Sequence, residues 1–129
     1  MEESTLSPDE LDLGPDVPVL DQSRLLAEFG DDPEILRELR DLFLGHLPSL
    51  LQEIRDACRT GDAQALGKSA HSLKGAGSTY GAERLARVCK HLELMGKSGQ
   101  IEGADAVIEL LEQELNKLTA AISQIQGKG

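Results

Sequence analysis

His71 stands in the run His71-Ser72-Leu73-Lys74-Gly75, and little surrounds it. At about 100° per residue around a helix, an apolar face centred on Leu66, Ala70, Leu73, Gly77 and Tyr80 leaves His71 pointing the other way, towards water. The positions one turn back and one turn on, which would stack against the ring, are Gly67 and Gly75. Glycine inside a helix costs about 0.5–1 kcal/mol relative to alanine, so two of them beside one exposed histidine ask for a reason. Lys68 and Lys74, three residues to either side, add positive charge.

An imidazole so placed offers three kinds of chemistry: acid–base catalysis, metal ligation, or nucleophilic attack that leaves the ring phosphorylated. Metal ligation wants further ligands at helical spacing, where this chain has glycines and lysines, so no metal site is expected. Acid–base catalysis wants a cleft and an orienting carboxylate, and no Asp or Glu lies within a turn of His71. A nucleophile that takes a phosphoryl group held by another protein fits better. It needs exposure for in-line attack, glycines for the partner's close approach, and lysines to offset the arriving charge. Ser78, two turns on, is placed to hydrogen-bond the imidazole or its phosphate.

The elements that must hold this ring read as helices. Residues 1–19 are acidic, carry Pro8, Gly14, Pro15 and Pro18, and lack periodicity; a disordered tail or linker is expected there, with the folded domain over 20–126. Asp21 caps a short helix with apolar Leu25, Leu26 and Phe29, ended by Gly30. Asp31 or Asp32 followed by Pro33 starts a long second helix. Its stripe is Ile35, Leu36, Leu39, Leu42, Phe43, Leu47, Leu50, Leu51, Ile54 and Cys58, with a kink expected at Pro48. Asp62 caps a third helix from Ala63 to about Thr79, which carries His71, and Gly81 turns the chain. The fourth, from Ala82 to about Met95, buries Leu85, Val88, Cys89, Leu92 and Met95. The last buries Val107, Ile108, Leu111, Leu115, Leu118, Ile122 and Ile125, with Glu109, Glu112, Glu114 and Lys117 outward and a frayed end from Gly127. Amphipathic helices on short connections must bury their stripes against one another. The expected fold is all-α, an antiparallel up-and-down four-helix bundle with a short additional N-terminal helix.

Composition narrows the partners. With 129 residues the chain supports one core. Aromatics are only 2% of residues, so Leu, Ala and Ile must build it. No run reaches the ~20 apolar residues of a membrane span, and residues 1–20 lack the pattern of a secretory signal, so a cytoplasmic protein is expected. The net charge of −10 argues against nucleic acid. Six of the acids fall in residues 1–20, with no Lys or Arg among them. Between Ala63 and Leu92 the balance reverses, with Lys68, Lys74, Arg84, Arg87 and Lys90 against the single acid Glu83. Cys58 and Cys89 read as core filling. His46 and His91 read as structural or incidental surface residues.

His71-Ser72-Leu73-Lys74-Gly75, followed by Gly81, Leu85, Cys89 and Leu92-Glu93, closely resembles the histidine-containing phosphotransfer (HPt) domain of multistep two-component relays. Upstream, Asp31-Asp32-Pro33-Glu34-Ile35-Leu36 and Phe43 to Leu50 look like that family's long second helix, and the likeness runs from about Val19 to Ile122. The resemblance implies that His71, through Nε2, takes a phosphoryl group from an aspartate of one receiver domain and passes it to another. Receivers of response regulators or hybrid histidine kinases are the implied partners; they supply the Mg²⁺, and the bundle needs no cofactor of its own. Lys74 and Gly75 match the charge-balancing and clearance positions, with Lys68 and Ser78 as weaker matches. Gly67 is counted with the clearance, and Arg87, Leu44 and Leu47 are placed near the rim of the docking face. The chain has no glycine-rich nucleotide fold and no room for an ATP-binding domain, so a monomeric carrier without kinase activity is expected, stand-alone or a piece of a hybrid sensor. Two rivals are a bundle that binds receivers without transferring phosphate, and a helical scaffold in which the motif is accidental.

Overall fold

The computed structural model describes residues 17–128, with side chains to residue 123, and every regular element among them is helical. They are α1 (Gln22–Phe29), α2 (Pro33–Thr60), α3 (Ala63–Thr79), α4 (Glu83–Ser98) and α5 (Ala104–Lys128). The expected tail over 1–19 lies outside the described residues up to position 16, while Val19 and Leu20 pack partly buried against the core. Ile125 lies outside the side chains described, and α5 stays helical through Gly127 to Lys128, where a frayed end was expected.

Capping chemistry sets most of the boundaries. Asp21 accepts from the Arg24 N–H, Asp32 from Glu34 with Pro33 at the first helical position, and Asp62 from Ala65. Gly61 closes α2 in the left-handed conformation at φ 74°. Gly81, at φ 82°, reverses the chain between α3 and α4, and a Cβ there would lie 2.7 Å from the Asp21 carbonyl oxygen. The Asp21 N–H donates to the Gly81 carbonyl at 2.8 Å, so the start of α1 is fastened to that turn. α2 runs through Pro48 as one helix.

Each long helix packs on its sequence neighbours, and α5 closes back on α2, so α2 to α5 form a bundle with α1 against α2. Ile54, Leu66, Leu73, Leu85, Val88, Cys89, Leu92, Leu111 and Leu118 are fully buried at its centre. Phe43 and Tyr80 stack at 4.5 Å, joining α2 to the end of α3. α3 and α4 make the closest pair, because Gly67 and Gly96 bring the two backbones into contact.

Several expected positions differ. Leu26, Ile35 and Leu42 are exposed, because α1 and the start of α2 carry a wider apolar stripe than their neighbours cover. α4 runs on to Ser98 and ends at left-handed Gly99. His91, Ala86 and Glu93 join its buried residues. Glu114, expected outward, is 1% exposed: it faces α4, where the Arg84 guanidinium holds it. Cys89 is core, but Cys58 is half-buried and its thiol donates to Asp105 at 3.0 Å; burial and that carboxylate push it up to about 11. Among the described residues no helix is long and apolar enough to cross a membrane.

Candidate functional site

His71 lies mid-way along α3 with its side chain 65% exposed. Its exposed face follows from the stripe: Leu66, Ala70 and Leu73 carry the helix into the core, and His71 takes what is left. The ring is not bare, however. Its Nδ1 lies 2.8 Å from Oε2 of Glu93 on α4. The sequence expectation of no orienting carboxylate is therefore corrected: the acid comes from the neighbouring helix.

Glu93 is almost wholly covered, its side chain 7% exposed. Lys74 donates to its other oxygen, Oε1, at 2.7 Å, and the Lys97 ammonium stands 3.4 Å from Oε2. The Lys74 hydrogen bond chiefly, with that of His71, outweighs burial and brings the Glu93 carboxyl from 4.5 down to about 2. At neutral pH Glu93 is thus ionised and can only accept hydrogen bonds. The proton of neutral His71 accordingly sits on Nδ1, assigned from this partner, and the lone pair is on Nε2, at the outer edge of the ring.

The other expected residues divide. Lys74 is one-third exposed and spends its charge on Glu93. Gly75 is exposed, with nothing within 4 Å of where its Cβ would be, so the chain is open one turn beyond the ring. Gly67 is not such a clearance position: it is buried against Gly96, because it lies on the side of α3 that faces α4. Lys68 is exposed and lines a shallow groove with Gly67, His71, Ser72, Gly96 and Lys97. Ser78 is half-buried, and its carbonyl caps the turn by accepting from the Gly81 N–H. Arg87 pairs with Glu83 at 3.2 Å, one turn back on α4, outside that groove. Leu44 is half-buried, while Leu47 belongs to the core rather than to a rim.

The basic island is thinner than its sequence suggests. Lys74, Arg84 and Arg87 are answered by Glu93, Glu114 and Glu83. Lys68 and Lys90 have no ion-pair partner among the described residues. Glu93 and Lys97 are the site residues that sequence reasoning missed. A signal existed: Glu93 sits one turn from both Cys89 and Gly96, on the buried side of α4, where a carboxylate needs a partner.

Chemically, an exposed imidazole whose inner nitrogen is fixed by an anion presents its outer nitrogen as a nucleophile. A helical bundle built around such a ring defines a class, the phosphohistidine carriers, and comparison with known proteins agrees. The Hpt domain family model matches residues 38–121. Among solved structures, the chain is similar to histidine-containing phosphotransfer protein B (HptB) from Pseudomonas aeruginosa PAO1. The two share 33% sequence identity over 87% of this chain and 97% of that one, with a TM-score of 0.76. No curated protein gives a significant match. The chain belongs to the histidine-containing phosphotransfer family, and its role is phosphotransfer within a phosphorelay.

Proposed function

We propose that His71 is the residue that carries the phosphoryl group and that Nε2 is the atom that bonds it. The observation that carries this reading is the 2.8 Å contact between His71 Nδ1 and the ionised Glu93, on a ring otherwise open to solvent. The Nε2 lone pair attacks the phosphorus of a receiver's aspartyl phosphate, forming an N–P bond as the P–O bond breaks. The aspartate leaves as a carboxylate, and the ring keeps its Nδ1 proton and takes up positive charge beside Glu93. Return to a second receiver reverses these steps.

Receiver domains of response regulators or hybrid kinases are the proposed partners, docking over α3 and α4 around His71 with Gly75 as clearance. Mg²⁺ belongs to the receiver's acidic pocket. The bundle acts as a monomeric carrier in the cytoplasm, without ATP-dependent kinase activity of its own.

The test is incubation with phosphorylated receivers, followed by a search for acid-labile, base-stable label on wild type and His71→Gln. Wild type is expected to label and His71→Gln to remain blank. Equal labelling of the two proteins would remove His71 from the role.

A further inference from the structure

Lys97 lies one turn after Glu93 on α4, with its ammonium 3.4 Å from Oε2. That oxygen is also the acceptor for His71 Nδ1 at 2.8 Å. Lys74 holds the other oxygen at 2.7 Å with a side chain 29% exposed, whereas that of Lys97 is 69% exposed. The two lysines are therefore not equivalent. Lys74 is a fixed brace, and Lys97 is a loosely held cation on a long, solvated stem.

The bundle brings Lys97 to the ring by close backbone contact. A Cβ on Gly96 would lie 2.5 Å from the Gly67 nitrogen and 2.7 Å from the Ala63 carbonyl oxygen, so α3 and α4 touch there. Lys97 follows directly, and it lines one groove with Lys68, His71 and Ser72.

Phosphorylation redistributes charge in this cluster. With His71 neutral, the single negative charge of Glu93 meets two ammonium groups, one more than it needs. As the N–P bond forms, the ring becomes positive and its Nδ1–H bond to Oε2 becomes charge-assisted. At the same time a group of about −1.5 to −2 charge appears on the outer edge of the ring. Lys97 is then redundant at Oε2 and has a stronger anion within reach of its side chain.

We propose that Lys97 exchanges Glu93 for the phosphoryl group on His71 Nε2, serving as the phosphate-binding cation of the phosphorylated state while Lys74 stays on Glu93. The proposal rests on the reading of His71 as the phosphorylated residue. Lys97 is absent from the residues the sequence pointed to, and it supplies charge that Lys74, held on Glu93, does not.

Phosphoramidate, which donates its phosphoryl group to histidine directly, allows a test without a receiver. The full chain is labelled as wild type, Lys97→Gln, Lys97→Arg and His71→Gln, and the ³¹P resonance of phosphohistidine is followed against pH. A cation bound to the phosphoryl group favours its dianion. Lys97→Gln is therefore expected to raise the midpoint of phosphoryl protonation by about half a pH unit, a threefold change in proton affinity. Lys97→Arg is expected to restore the wild-type midpoint, which a purely structural role would not do. Identical midpoints in wild type and Lys97→Gln would overturn the exchange while leaving His71 as the carrier. Label that survives His71→Gln would overturn the assignment of His71, and the exchange with it.

Discussion

Glu93 and Glu114 are both buried carboxylates on the inner faces of their helices, yet they do different work. Glu114, 1% exposed on α5, is gripped by Arg84 through two hydrogen bonds of 3.0 and 3.1 Å, with Lys117 at 3.2 Å. Burial pushes its carboxyl up, but Arg84 and Lys117 outweigh that and leave it below the ordinary range. Glu93, on α4, is held by Lys74 and also by an imidazole that remains 65% exposed. The guanidinium turns two donors inward in a fork that matches the carboxylate. The histidine turns only one nitrogen inward and leaves the rest of its ring open to solvent. A buried acid becomes a clamp or a bracket according to what its partner has left over.

The largest effect expected from breaking this symmetry is on stability. Removing one partner of a buried ion pair strands the other, at a cost of about 3–5 kcal/mol. Glu114→Ala should therefore lower the urea midpoint steeply, since it leaves Arg84 against the core of α4 and α5. The folded fraction should still accept phosphate at the wild-type rate, measured as label per folded molecule. A rate that fell together with stability would mean that the two glutamates are one network rather than two.

Glu93→Gln should show the converse. The amide keeps the shape and an acceptor oxygen, but it loses the charge that fixes the Nδ1 proton and offsets the positive ring. Phosphoryl uptake by the folded protein is expected to slow about tenfold, equivalent to ~1.4 kcal/mol in the barrier. The loss of stability should be smaller than for Glu114→Ala, because His71, Lys74 and Lys97, the three partners of Glu93, all reach solvent. Rapid-quench labelling against a charged receiver gives the rate. An unchanged rate would reduce Glu93 to a structural acid like Glu114.

The contrast also explains what the sequence could and could not reveal. The exposure of His71, the charge at Lys74 and the open chain at Gly75 were legible because each follows from position on a single helix. The four long helices were legible for the same reason: Asp62, Gly61, Gly81 and the 3–4 spacing are local signals. The partners of Glu93 and Glu114 were not, because each carboxylate is met by side chains from another helix. Periodicity places a residue on a face but does not say which side chain meets it there. Gly67 shows the same limit. Its spacing from His71 predicts clearance for a partner protein, and it is the point where α3 touches Gly96 of its own bundle. Leu42 fails in the opposite direction: its spacing matches the core, and no helix covers it.

The smallest expected effect separates the two acids by titration. Glu93 in the folded protein sits at about 2 against an ordinary 4.5, lowered chiefly by the Lys74 hydrogen bond. A depressed acid binds fewer protons folded than unfolded, so its contribution to stability is whole above pH 4.5 and is lost as pH falls towards 2. Glu114 has the same sign, so wild type should lose stability from both across the acid limb. Glu93→Gln should start lower at neutral pH and then fall less steeply between pH 4.5 and 2, keeping only the slope from Glu114 and the other carboxylates. Urea titrations at half-unit intervals would show this as curves that converge on acidification. If the two curves instead ran parallel through that window, Glu93 would be titrating alike in the folded and unfolded chain. The lysine and histidine beside it would then be neighbours rather than partners, and Nδ1 of His71 would lose its fixed proton along with them.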